Sequence, residues 1–67
     1  MYDAHLKLVE LREKAFAARS KAARARRLAA RTPQRPAPFD RHAAELERHA
    51  SAMEQAMQDL AGATRSD

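Results

Sequence analysis

The sequence predicts an all-α fold, an antiparallel helical hairpin that dimerises into a four-helix bundle. Glycine occurs once in 67 residues whereas alanine and arginine are abundant, a composition that favours helices over strands. The three prolines lie together within residues 33–38 and divide a single domain, residues 1–67, into two halves. Each half repeats apolar side chains at steps of three and four residues, which is the spacing of packed helices.

The first helix is predicted to span residues 3–31, with Asp3 as its N-cap. It should end there because Pro33 disfavours the helical conformation at Thr32. Residues 32–39 then form a semi-rigid, proline-rich connector. The apolar seam of this helix consists mostly of small side chains: Met1, Ala4, Leu8, Leu11, Ala15, Ala18, Ala22, Ala25 and Ala29.

The second helix is predicted over residues 40–61, with Asp40 as its N-cap and Phe39 packing just outside it. Gly62 is expected to stop the helix, so that residues 62–67 form a frayed tail. The apolar seam of this helix contains larger side chains: Phe39, Ala43, Leu46, Ala50, Met53, Met57 and Leu60.

The two seams match when the second helix is folded back on the first, and in several layers a small side chain faces a large one. The layers are Leu11 with Leu60, Ala15 with Met57, Ala18 with Met53, Ala22 with Ala50, and Ala25 with Leu46. The same register places Arg19 beside Glu54 and Arg26 beside Glu47, although the apolar layers alone define it. The charge pairs therefore support the register independently.

A second apolar stripe follows the first helix, more than a quarter turn from the seam, and consists of Tyr2, Leu6, Val9 and Phe16. A helix that is apolar on two sides is normally buried on two sides. Since the hairpin covers only one side, the stripe is predicted to contact another chain, most simply in a twofold dimer. The alternative is a frayed N-terminus that carries a few exposed apolar groups.

Residues 19–35 hold seven basic side chains and no acidic one, in a chain of formal net charge +4. With Arg19 and Arg26 paired to glutamates, five remain to contact an anion or a nucleic acid: Lys21, Arg24, Arg27, Arg31 and Arg35. Several cations on one face bind a phosphate backbone in a salt-dependent manner. The segment has no aromatic side chain to stack on single-stranded bases. The alternatives are a solvated face that keeps the helix soluble and an acidic patch on a protein partner.

Catalysis and cofactor binding have no basis in the sequence. It contains no cysteine, no glycine-rich phosphate loop and no Ser/His/Asp set that could converge in a pocket, so we expect neither an enzyme nor a cofactor. His42, Glu45 and His49 share a helix face, but the two histidines are ~10.5 Å apart along the axis, too far for one metal ion. They are interpreted as polar residues beside the seam.

The chain is expected to be a cytoplasmic bacterial protein. It has no apolar run of ~18 residues that could span a membrane. Four polar residues interrupt any signal-peptide core near the start: His5, Lys7, Glu10 and Arg12.

These features predict a small, non-enzymatic interaction module that self-associates and binds a protein partner as an adaptor, inhibitor or assembly element. The alternative is a small nucleic-acid-binding regulator that uses the basic end of the first helix on the phosphate backbone.

Overall fold

The computed structural model describes the backbone of residues 2–65 and the side chains of residues 3–63. Two long helices, α1 (Tyr2–Arg31) and α2 (Ala37–Arg65), are joined by residues 32–36. They pack side by side in a rod that measures 54 by 15 by 11 Å between Cα atoms. The predicted all-α hairpin is therefore confirmed.

The chain leaves α1 through a hydrogen-bonded turn. The Thr32 N–H donates to the Ala29 carbonyl at 3.2 Å and tightens the end of the helix. The Arg35 N–H then donates to the Thr32 carbonyl at 3.0 Å, which is the pattern of a β-turn with Pro33 and Gln34 at its centre. Proline suits the second position of such a turn because its φ is already fixed at about −65°. Pro33 therefore helps both to end α1 and to reverse the chain.

The start of α2 differs from the prediction, because the helix begins at Ala37 and not at Asp40. The Asp40 N–H donates to the Pro36 carbonyl at 2.9 Å, which is the first bond of the helical ladder. Pro38 is accommodated because the leading N–H groups of a helix have no acceptor within it, so a proline there costs no hydrogen bond. Phe39 therefore lies inside the first turn, and Asp40 follows it in the same turn instead of capping the helix.

The end of α2 also differs, because the helix continues through Gly62 to Arg65 and the expected stop at Gly62 is wrong. Gly62 does not have a positive φ, and a Cβ added there would meet no atom within 4 Å. A glycine ends a helix when it adopts the left-handed conformation; otherwise it only weakens the helix, by about 1 kcal/mol relative to alanine. Of the expected tail, Ser66 and Asp67 lie outside the described residues.

The buried side chains lie on the two predicted seams, of which Met1 falls outside the described residues. They are Ala15, Ala18, Ala22, Ala25, Ala29, Ala43, Ala50 and Met53. Seven of these eight are alanines, and no large side chain is fully buried among the described residues. The core is thin as a result, since an alanine removes little apolar surface from water compared with leucine or phenylalanine.

The core divides into two clusters along the rod. One contains Ala15, Ala18, Ala50 and Met53 with Leu11 packed against it, and the other contains Ala22, Ala25 and Ala43 with Leu46 packed against it. The predicted layers of Ala18 with Met53 and of Ala25 with Leu46 each fall within one cluster.

The two residues of the predicted Ala22–Ala50 layer are both buried but belong to different clusters. Ala50 belongs to the cluster of Ala15 and Ala18, whereas Ala22 belongs to the cluster of Ala25 and Ala43. Side chains at a helix seam insert between those of the facing helix rather than meeting end to end, so neighbouring layers interleave.

We predict that Ala50→Leu lowers the free energy of unfolding by about 1–3 kcal/mol, because a larger side chain there must push the helices apart. Ala50 is 0% exposed in the seam. The matched control is Ala52→Leu, at an exposed position of the same helix, which should change stability by less than about 0.5 kcal/mol. Chemical denaturation followed by circular dichroism at fixed protein concentration measures both. Equal stability of the two variants would contradict the close contact at Ala50.

Candidate interaction surfaces

Two arginines on one flank of α1 pair with glutamates of α2. Arg19 donates from Nη2 to Glu54 Oε1 at 2.6 Å and from Nε to Oε2 at 3.0 Å. Arg26 donates from Nη2 to Glu47 Oε1 at 2.8 Å and from Nε to Oε2 at 3.3 Å. Both contacts are bidentate, which is the geometry in which arginine holds a carboxylate most specifically. The pairs match those predicted, and they confirm the antiparallel register.

Each arginine also has one partner that the heptad alignment did not predict. Arg26 donates from Nη1 to Asp40 Oδ1 at 3.1 Å, and Arg19 donates from Nη2 to Ser51 Oγ at 3.3 Å. The alignment missed them because a long guanidinium reaches past the residue directly opposite. The contact with Arg26 gives the Asp40 carboxylate a partner across the hairpin, although it does not cap α2.

The arginines lower the pKa of the carboxyls that they contact. The hydrogen bond from Arg26 is the main cause of the lowered pKa of Glu47, and that from Arg19 is the main cause for Glu54, while desolvation opposes both shifts. The same hydrogen bonds raise the pKa of both arginines. All four side chains remain in contact with solvent. The pairs therefore contribute little stability and act mainly by selecting the register.

The other five basic side chains of residues 19–35 form no ion pair with any described residue. All are exposed, and we call them the basic surface: Lys21, Arg24, Arg27, Arg31 and Arg35. The segment thus contains two arginines that are committed to the hairpin and five cations whose charge is open to solvent.

The second apolar stripe is exposed wherever its side chains are described. Phe16 is 74% exposed, Leu6 62% and Val9 40%. The side chain of Tyr2, the fourth predicted residue, lies outside the described residues. The side chains of Phe16 and Val9 border grooves between the two helices, whereas Leu6 lines neither of these grooves.

Two adjoining grooves follow this side of the hairpin, and we call them together the Phe16 groove. One has a volume of about 320 Å³ and is lined by Arg12, Ala15, Phe16, Arg19, Glu54 and Met57. The other has a volume of about 290 Å³ and is lined by His5, Leu8, Val9, Arg12 and Met57. The structure therefore brings Val9 and Phe16 of α1 together with Met57 of α2.

Met57 is the residue of this surface that sequence reasoning missed. Its spacing assigns it to the seam, but its side chain is only half-buried and the remainder borders the Phe16 groove. Heptad spacing assigns each residue to a single helix contact. It does not reveal a side chain that contributes both to the seam and to a groove beside it. The available signal was size, because Met57 was aligned with Ala15, and a long side chain opposite a small one extends past the seam.

A third groove, of about 290 Å³, lies near the connector. It is lined by Lys21, Arg24, Ala25, Leu28, Phe39 and His42. Among the described residues, no group of three or more His, Cys, Asp or Glu side chains is placed to hold a metal ion. His42, Glu45 and His49 are therefore not brought together as a ligand set.

Neither helix, over its described length, contains an apolar stretch that could cross a bilayer. Comparisons of the chain with known protein families, with curated proteins and with solved structures found no match.

We predict that the free energy of unfolding falls as the pH drops below about 4.5, the ordinary pKa of a glutamate. Because the pKa values of Glu47 and Glu54 are lowered in the folded chain, their contribution is present above the unfolded pKa and is lost as the pH falls through the folded pKa. Glu47→Gln combined with Glu54→Gln should flatten this decline.

The control is Glu45→Gln, an exposed glutamate of α2 without an ion pair to a described residue, which should leave the decline unchanged. Denaturation at a series of pH values and one protein concentration provides the comparison. A decline that is equally steep in the double variant and in the wild type would show that the two pairs have no part in it.

Proposed function

We propose that the chain is a non-enzymatic interaction module that self-associates through the Phe16 groove and binds a protein partner as an adaptor, inhibitor or assembly element. The observation that carries this proposal is the distribution of large apolar side chains. Phe16 is 74% exposed, while seven of the eight buried residues in the described part of the chain are alanines. Among the described residues of α1, the hairpin therefore leaves the largest apolar side chain outside its own core.

The energetic reason for association is the thinness of that core. Burying a phenylalanine or valine side chain that was exposed contributes about 1.5–3 kcal/mol. A single core in a chain of this size rarely supplies more than about 3–5 kcal/mol in total. The free energy gained by burying Phe16 and Val9 is thus comparable to the free energy of unfolding that the hairpin core can supply alone.

The occupant that fits the groove best is a helix of a second copy. The groove is bordered by both helices of the hairpin, so a helix lying in it contacts α1 and α2 together, which is the arrangement of a four-helix bundle. Val9 and Phe16 are seven residues apart, or roughly 10.5 Å along α1, which equals two turns of a partner helix. A twofold dimer uses the same surface on both copies, so each hairpin provides and fills an identical groove.

Charge favours an antiparallel arrangement of the two α1 helices. In a parallel arrangement the basic segments, residues 19–35, would lie beside each other, and neither contains an acidic residue. Like charges that face each other along a helix contact are unfavourable, and this excludes wrong arrangements. The antiparallel arrangement brings the apolar halves together and leaves the basic halves at opposite ends.

We predict that Phe16→Gln combined with Val9→Gln converts the associated protein to monomers, because the variant loses the apolar contacts of the groove. Sedimentation velocity over a range of concentrations measures the change, and circular dichroism checks that the hairpin stays helical. The matched control is Leu28→Gln, whose side chain is exposed to the same extent as Val9, 41% against 40%, but lines the groove near the connector. It should remain associated.

An unchanged mass of the Phe16/Val9 variant would remove the groove from the interface. Leu6→Gln tests the form of the dimer, because Leu6 is exposed but lines neither part of the Phe16 groove. If Leu6→Gln dissociated the protein and the Phe16/Val9 variant did not, the hairpins would meet through the face of α1 that carries Leu6. The proposed four-helix bundle would then be wrong.

A further inference from the structure

The basic surface remains without a role after the fold and the proposed dimer are accounted for. Its five cations are exposed and form no ion pair with a described residue. No acidic residue lies between positions 19 and 35. Arg19 and Arg26 belong to the same segment but have their charge compensated by Glu54 and Glu47.

The helix presents these cations in a defined spatial order. Steps of three and four residues place Arg24, Arg27 and Arg31 on one face of α1, with Lys21 three residues before them. From Lys21 to Arg31 the surface is roughly 15 Å long. Arg35 continues it past the end of α1, in the turn that its N–H closes on Thr32.

We infer that the basic surface binds the phosphate backbone of a double-stranded nucleic acid without reading base sequence. A duplex carries about one negative charge per 1.7 Å of its axis with both strands counted, so ~15 Å of axis holds roughly nine phosphates, about half of them on each strand. One strand therefore offers about four phosphates to the four cations from Lys21 to Arg31, and Arg35 lies beyond them. Contacts of this kind give affinity and orientation but no sequence discrimination.

The side chains around the cations favour a duplex over a single-stranded nucleic acid or a membrane surface. The exposed residues interspersed with them on α1 include the small Ser20, Ala23 and Ala30, which leave room for a wide backbone to approach. Residues 17–38 contain no aromatic side chain, and Phe39, which lines a groove with Lys21 and Arg24, is half-buried and offers little of its ring for stacking on unpaired bases. A membrane surface would need several bulky apolar groups beside the cations. Leu28 is the one large apolar side chain exposed in residues 19–35, and it lines a groove with Lys21, Arg24 and the half-buried Phe39.

The inference rests on a surface that the proposed dimer does not use. The Phe16 groove is formed by residues 5–19 of α1 together with Glu54 and Met57, whereas the basic surface spans residues 21–35. In the antiparallel arrangement both copies keep this surface accessible, at opposite ends. Binding to a duplex and association can therefore be measured, and can fail, separately.

Titration of the wild-type chain into fluorescent DNA and RNA duplexes of two unrelated sequences, with anisotropy as the readout, tests the inference. For five phosphate contacts the association constant should fall about 500-fold between about 50 and about 200 mM salt, and it should be the same for both sequences. Arg24→Gln combined with Arg27→Gln should reduce that fall to about 40-fold, since two contacts are lost.

The matched control is Lys7→Gln combined with Arg48→Gln, which removes the same net charge at exposed positions away from the basic surface. It should keep the salt dependence of the wild type. Absence of binding to either duplex at low salt would overturn the inference, as would an equal loss in the control. Tighter binding to an acidic peptide or to anionic vesicles than to both duplexes would also overturn it.

Discussion

The close approach of α1 and α2 through their alanines is the constraint on which the rest of the structure depends. Ala43 and Ala50 are 0% exposed. The two helices pack closely at these positions because no larger side chain separates them. At this distance the guanidinium of Arg19 reaches the carboxylate of Glu54 with two hydrogen bonds. The ion pairs are therefore a consequence of the alanine contact as well as a selector of its register.

The same contact determines what remains outside the core. Since a seam of alanines cannot accommodate large side chains, the bulky apolar groups of α1 lie at its margin or on its outer face, and Met57 of α2 is only half-buried. A rod one helix pair thick has no interior in which to place them. The Phe16 groove and the basic surface occupy different parts of α1, so the two proposed interaction surfaces do not overlap.

Periodicity and charge alignment predicted the hairpin, its register and both bidentate pairs, because these features follow from spacing along one dimension. The ends of α2 were not predicted. Pro38 reads as part of a connector, yet it costs no hydrogen bond in a first helical turn, and Gly62 adopts an ordinary helical conformation. The share of Met57 in the Phe16 groove was also missed, because a heptad position does not show how far a side chain extends past the seam.

The decisive measurement is the mass of the unmodified chain in solution, determined by sedimentation equilibrium together with its helicity. If the hairpin closes only one side of α1 and a second copy covers the Phe16 groove, the protein should have twice the 7.5 kDa mass of the chain, and its free energy of unfolding should fall when it is diluted to monomers. A fully helical monomer that stays stable on dilution would contradict this, because the alanine seam would then suffice by itself.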